Sequence, residues 1–281
     1  MIFDVSHPEV LDAVRRALAE DVGSGDLTSE LCVPASARAV GRMIAREPMT
    51  LAGVELAPLV FEEVAPGACS VEILKRSGAR LQPGDAIAVV EGPARALLTG
   101  ERTALNFMQR LSGVATLASA YAREVEGTRC RVLDTRKTTP GLRRLEKMAA
   151  VAGGVTNHRA GLYDAILIKN NHITAAGGVA RALERTRGAG VPVEIEVRTR
   201  AELDEALACG ATQLLLDNLT PAEAKEWIAH IAGRAKVELS GGITLATARA
   251  YAETGADYIS SGAITHSAPA VDINFRLELE S

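Results

Sequence analysis

The feature that most constrains this chain is a repeat in its second half. Between residues 113 and 270, short apolar, β-branched runs alternate with stretches of helical periodicity. The runs lie at 130–134, 165–168, 193–197, 213–216, 236–239 and 258–260. From the second run onward they start about 20–30 residues apart, the length of one βα unit in a parallel barrel. Helical stretches at 200–209 and 221–231 fill two of the gaps, the second opened by Thr220 as N-cap and Pro221 in the first turn. A doubly wound open sheet is the competing architecture, but it carries a GxGxxG loop after its first strand. Gly153-Gly154 does not match that loop and precedes a strand, so an α/β barrel is expected over 113–270.

Residues 1–112 follow another pattern. Helical periodicity over 7–20 puts Val10, Leu11, Val14, Ala17 and Leu18 on one side, and the glycines of Asp21-Val-Gly-Ser-Gly25 interrupt it. Residues 38–44, 71–74 and 86–90 read as strands, with a turn at Leu81-Gln-Pro-Gly-Asp85. A long helix begins near Leu97 and runs through Asn106. These elements predict a separate α+β domain.

Composition narrows the function. The 281 residues carry a net charge of only −4, so no global field favours nucleic acid, and any anion site must be a local cluster of cations. Cys32, Cys69, Cys130 and Cys209 contain no CxxC pair, so no zinc site is expected and the thiols are read as buried and reduced. The first residues lack a basic-then-apolar signal pattern, and no apolar run approaches 18 residues. A soluble, cytoplasmic protein without a membrane partner is the expectation.

In a barrel, chemistry gathers where strands end. The strand ends here read Asp134-Thr-Arg-Lys137, Lys169-Asn-Asn-His172, Glu196, Asp217-Asn218, Ser240-Gly-Gly-Ile243 and Ser261-Gly-Ala263, with Asn157-His-Arg159 just before the second strand. Arg136, Lys137, His158, Arg159 and Lys169 would form a dense positive cluster suited to a ligand with several anionic groups. Glu196 and Asp217, on neighbouring strands, suit magnesium shared with a substrate's oxygens. Ser240-Gly241-Gly242 and Ser261-Gly262-Ala263 resemble paired late-strand loops that grip a phosphate. Ser240 and Ser261 lie in no GxSxG elbow. Lys169 as a Schiff-base lysine is the rival chemistry. His172 and His266 read as hydrogen-bonded structural residues, Trp227 as packing, and Arg143-Arg144 as helix surface.

Several of these strings coincide with one family. The segments Glu20-Asp-Val-Gly-Ser-Gly-Asp-Leu-Thr-Ser29, Gly100-Glu-Arg-Thr-Ala-Leu-Asn-Phe107 and Asp134-Thr-Arg-Lys-Thr-Thr-Pro-Gly-Leu-Arg143 resemble quinolinate phosphoribosyltransferases. So do Asn157-His-Arg-Ala-Gly-Leu-Tyr-Asp164, Ile168-Lys-Asn-Asn-His172, Ser240-Gly-Gly-Ile243 and Gly262-Ala-Ile-Thr-His-Ser267. The resemblance spans nearly the whole chain and implies an N-terminal α/β sandwich over 1–112, joined by 271–281, and an open, incomplete α/β barrel over 113–270. It implies transfer of a phosphoribosyl group from phosphoribosyl pyrophosphate to quinolinate with decarboxylation, giving nicotinate mononucleotide. By the same resemblance Arg136, His158, Arg159 and Lys169 form the quinolinate pocket, lined by Thr135 and Lys137. Arg102 reaches the neighbouring active site of a homodimer. Glu196 and Asp217 serve the ribose and Mg2+, and the two glycine-containing loops hold the 5′-phosphate. Lys137, Lys169, Glu196 and Asp217 are the catalytic candidates. The chain departs from the family pattern at Ala149-Ala-Val-Ala152, at Val155 after Gly153-Gly154, and at Asn170, where an acid is usual. A paralogue linked to molybdate transport shares the fold and many motifs, and is the alternative within it.

Overall fold

The computed structural model describes residues 4–280 and divides into two compact units. The first takes the chain up to Ser119, with Thr138–Gly154 and the segment from Thr265 on. Its elements are α1 (Pro8–Val22), α2 (Leu27–Cys32), β1 (Arg38–Ala45), β2 (Met49–Thr50), α3 (Leu56–Val64), β3 (Ser70–Ile73), β4 (Arg80–Leu81), β5 (Ala86–Pro93) and α4 (Ala94–Glu124), the last continuing beyond Ser119. The periodicity over 7–20 is α1, with His7 as its N-cap and Val10, Ala13, Val14 and Leu18 buried. Asp26 caps the short α2 by accepting the Ser29 N–H at 3.0 Å. The long helix begins at Ala94, directly after β5.

The main sheet of this unit has the order β12-β1-β5-β3, with β12 (Ile273–Leu279) returning from the C-terminal segment to pair antiparallel with β1. Alternation in β1 buries Ala39, Gly41, Met43 and Ala45 on one face. The ring of Phe275 lies over Gly41 and stacks near Phe61 of α3, with centroids 6.5 Å apart. Helix α5 (Arg143–Ala152) joins the same unit. Its C-cap, Gly153, lies so close to α4 that a Cβ would sit 2.3 Å from the Ala115 carbonyl oxygen. A side chain at 153 would therefore push the two helices apart.

The second unit holds Ala120–Lys137 and Val155–Ile264. Its strands are β6 (Arg131–Leu133), β7 (Ile166–Ile168), β8 (Val193–Val197), β9 (Gln213–Asp217), β10 (Lys236–Ser240) and β11 (Tyr258–Ser260). All pairings are parallel, in the order β6-β11-β10-β9-β8-β7. Among the described residues β6 and β7 are the edges, so the sheet is an open α/β barrel, beside which Thr156 makes one parallel bridge to Leu133. The connections carry α6 (Asn170–Ala176), α7 (Val179–Arg185), α8 (Arg200–Ala208), α9 (Pro221–Ile231) and α10 (Leu245–Ala252), with α11 (Ala263–His266) after β11. Thr199 with Glu202, and Thr220 with Glu223, form reciprocal capping boxes that start α8 and α9.

Only Cys130 of the four thiols is buried, which corrects the expectation for the other three. Cys69 and Cys209 are half-buried and Cys32 is exposed on the outer turn of α2. Trp227 is half-buried, with the Arg200 guanidinium over its ring at 5.5 Å. Among the described residues, no helix is long and apolar enough to cross a membrane.

Candidate functional site

The interior of the open barrel can be assigned by period-two alternation. Glu194 and Glu196 share one face of β8. Gln213 donates from Nε2 to Glu194 Oε1 at 3.2 Å, so Gln213, Leu215 and Asp217 share that face on β9. The His158 ring brings Glu238 to the same side, because its Nε2 lies 3.2 Å from Glu194 Oε2 and 3.4 Å from Glu238 Oε2. Ser240 follows two residues on. Parallel barrels usually fill this space with branched apolar side chains. Here it holds Glu194, Glu196 and Glu238, all buried, and half-buried Asp217. Attention to strand ends alone passes over Glu194 and Glu238, although the alternation in Val-Glu-Ile-Glu-Val and Val-Glu-Leu-Ser carried the signal.

Lys169 is exposed at the finishing end of β7, and Lys137 is exposed in the loop after β6, where its N–H donates to Thr135 Oγ1 at 3.1 Å. Arg136 is half-buried in that loop. Arg159 donates from Nη1 to the Ala165 carbonyl at 3.2 Å. Burial, and then the positive charge of Arg136, lower the Arg159 pKa. The charges of Asp164 and Glu194 oppose that lowering.

His158 occupies a different position. It faces the barrel interior, and its backbone N–H donates to the fully buried Asp134 Oδ1 at 2.8 Å. A cavity of about 180 Å3 adjoins it, lined in part by Asn157, His158, Arg159, Glu194, Gln213 and Tyr258. Ile166, Gln213 and Tyr258 open their strands and Leu133 closes β6, so this cavity is bounded by strand starts and by a strand end. Burial alone lowers the proton affinity of His158. Hydrogen bonding to Glu194 and Glu238, and their charge, outweigh it and raise the pKa to about 9.

At the finishing end, Glu196 Oε1 accepts from Arg198 Nη2 at 3.0 Å, and Asp217 Oδ2 accepts from Asn218 Nδ2 at 2.7 Å. Asn218 is left-handed at φ 59 and its N–H donates to the Ser240 carbonyl, which draws the β9 and β10 exits together. Gly241 and Gly242 turn out of β10 at φ 96 and 62. Ser261 is buried differently from Ser240: its Oγ donates to the Ile243 carbonyl at 2.9 Å and lies 3.2 Å from Tyr121 Oη, and its N–H donates to the Leu133 carbonyl. Gly262 and Ala263, which follow in that loop, are both half-buried.

The remaining candidates have local roles. His172 Nδ1 accepts the Lys169 N–H at 2.9 Å at the start of α6, and His266 Nδ1 lies 2.6 Å from Ser267 Oγ. In the first unit, Arg143 donates from Nε to Thr138 Oγ1 at 3.0 Å, a loop contact that a helix-surface reading misses, while Arg144 pairs with Glu9. Arg102 is exposed on α4.

Comparison with known proteins places the whole chain. Residues 114–276 match the quinolinate phosphoribosyl transferase C-terminal domain, and residues 26–112 match its N-terminal domain. The chain is 43% identical to the nicotinate-nucleotide pyrophosphorylase (carboxylating) of Mycobacterium leprae, over 99% of this chain and 100% of that protein. It is 39% identical to a probable enzyme of the same name from Bacillus subtilis, over 99% and 96%. Among solved structures, NadC from Streptococcus pyogenes superimposes with a TM-score of 0.94 at 37% identity, over 99% of this chain and 100% of that one.

Proposed function

The chain belongs to the quinolinate phosphoribosyltransferase family, and from that premise we propose that it transfers the phosphoribosyl group of phosphoribosyl pyrophosphate to quinolinate. The pyridine nitrogen attacks the anomeric carbon and the C–O bond to pyrophosphate breaks. N-ribosylation makes the ring cationic, which stabilises the carbanion left when the adjacent carboxylate departs as CO2, and that carbon then takes up a proton. The products are nicotinate mononucleotide, pyrophosphate and CO2.

The observation that carries this reading is the match of residues 26–112 and 114–276 to the two domains of the family, together with a pocket of the cations Arg136, Arg159 and Lys169. A pyridine dicarboxylate supplies the two anionic groups that such a pocket needs. Lys137 serves the departing pyrophosphate, Thr135 lines the ring, and Ser240, Gly241 and Gly242 hold the 5′-phosphate with Gly262 and Ala263. Glu196 and Asp217 would hold Mg2+: they are oxygen donors on one face of adjacent strands, as a hard divalent cation requires. Bound there, the ion would neutralise charge on phosphate oxygens. The working form is a cytoplasmic homodimer in which Arg102 reaches the partner's pocket. A Schiff-base reaction at Lys169 is less well supported, because that lysine is exposed whereas such lysines are desolvated.

The test is product formation from quinolinate, phosphoribosyl pyrophosphate and magnesium, with nicotinate in a parallel reaction. Nicotinate mononucleotide from quinolinate alone, with one CO2 per pyrophosphate, is expected. A folded protein that turns over neither base, or prefers another, moves the assignment to the transport-linked paralogue.

A further inference from the structure

Gly241 and Gly242 are consecutive residues at positive φ. Glycine has the least restricted backbone of any residue, so a pair of them holds one conformation only if both ends of the turn are fixed. The front end is fixed by Asn218, whose N–H donates to the Ser240 carbonyl at 2.9 Å. The back end is fixed by two side chains remote in sequence. The Ile243 carbonyl accepts from Ser261 Oγ at 2.9 Å and from Tyr121 Oη at 3.4 Å. A carbonyl oxygen has two lone pairs and takes both protons. All three residues are buried, so this carbonyl depends on these donors.

Ser261 also joins this turn to the next loop. Its N–H donates to the Leu133 carbonyl at 3.2 Å, which seats it beside β6, and Gly262 and Ala263 follow it directly. Tyr121 comes from the last turn of α4 and is one of the largest buried side chains. Phenylalanine would fill the same space in the core. The hydroxyl is accounted for by the carbonyl that it meets, because a buried tyrosine O–H takes a hydrogen-bond partner. Past Ile243 the chain enters α10, where Thr244 and Thr247 form a reciprocal cap.

We propose that Tyr121 and Ser261 are positioning residues: by holding the Ile243 carbonyl they fix the Gly241–Gly242 turn, and with it the backbone N–H groups that receive the 5′-phosphate of phosphoribosyl pyrophosphate. A turn that is already ordered binds an oxyanion without the entropy loss of ordering it on binding. Neither hydroxyl is left to donate to the phosphate, because each gives its proton to Ile243. The assignment rests on the reading of these loops as the 5′-phosphate site.

Tyr121→Phe and Ser261→Ala each delete one oxygen. Each should raise KM for phosphoribosyl pyrophosphate about threefold to tenfold, while kcat and KM for quinolinate stay within about twofold. Tyr121→Phe keeps the ring in the core, so the test does not hang on the folding of Ser261→Ala. Ser112→Ala is the control for a purely structural loss. Its buried hydroxyl serves the Ala52 backbone in the first unit, and deleting it should lower the denaturant midpoint without moving either KM. Unchanged KM for phosphoribosyl pyrophosphate in both variants, or equal rises for both substrates, overturn the proposal. Calorimetry with ribose 5-phosphate is the arm that needs no turnover. The wild type should bind it, and the two variants should bind it about threefold to tenfold more weakly. Equal affinity in wild type and variants overturns the positioning role, and a wild type that does not bind it removes the phosphate from these loops and the proposal with it. Wild-type turnover of quinolinate, measured first, tests the substrate assignment separately.

Discussion

A Cβ built on Gly241 would lie 2.2 Å from Asn218 Oδ1 and 2.7 Å from its backbone nitrogen. The β9 and β10 exits are thus packed so that residue 241 has no room for a side chain, and its φ of 96 is one that L-residues rarely adopt. Gly241→Ala should destabilise the protein by about 1–3 kcal/mol and raise KM for phosphoribosyl pyrophosphate more than KM for quinolinate. Denaturant midpoints and steady-state kinetics on the same preparation check both parts. Unchanged kinetics would remove this turn from the phosphate site.

Glu146 is fully buried in α5 and receives Arg110 Nη2 at 2.7 Å, the Thr139 N–H at 3.0 Å and Thr139 Oγ1 at 2.7 Å. It ties the Thr138–Thr139 loop to α4, and Arg110 also donates to the Ala268 carbonyl at 2.6 Å. Glu146→Ala strands a partly buried guanidinium and should cost about 3–5 kcal/mol. Glu146→Gln, which keeps an acceptor, should cost less. Urea unfolding distinguishes the two, and equal losses would mean that packing and not hydrogen bonding holds the loop.

The proton held by the His158 cluster makes stability depend on pH. The folded pKa, about 9, lies above the ordinary histidine value of 6.5. The folded state therefore binds the proton more tightly, and this contribution is complete below about pH 6.5 and lost as pH rises through about 9. Denaturant midpoints should fall across that window, and His158→Asn should flatten the fall. A wild-type profile that is level from pH 6.5 to 9 would count against the tight proton.

The shared-site expectation for Arg102 is open to complementation. Arg102→Ala and Arg136→Ala homodimers should each be nearly inactive. If Arg102 acts across the dimer, each mixed dimer contains one intact site. Random reassociation should then restore about a quarter of wild-type activity. No recovery in mixed dimers verified by mass spectrometry would place both residues in the same protomer's site.

Much of this protein is determined by its sequence. The alternation of β-branched runs and helices, with Thr199, Thr220 and Pro221 marking helix starts, specifies βα units because strand and helix periods are local properties of the chain. The string from Asp134 to Arg143 likewise names the family. Tertiary structure decided what no local pattern encodes. Parallel register brought Glu194, Glu238 and Gln213, far apart in sequence, around one imidazole, and turned His158 inward although it lies in a cation-rich string. It also committed the Ser261 hydroxyl to the Ile243 carbonyl, where the motif suggested a phosphate ligand. A residue's type and neighbours fix what it is able to bind. Which partner it meets depends on strand order and pleat, because a buried polar group takes the nearest compensating group that the fold supplies.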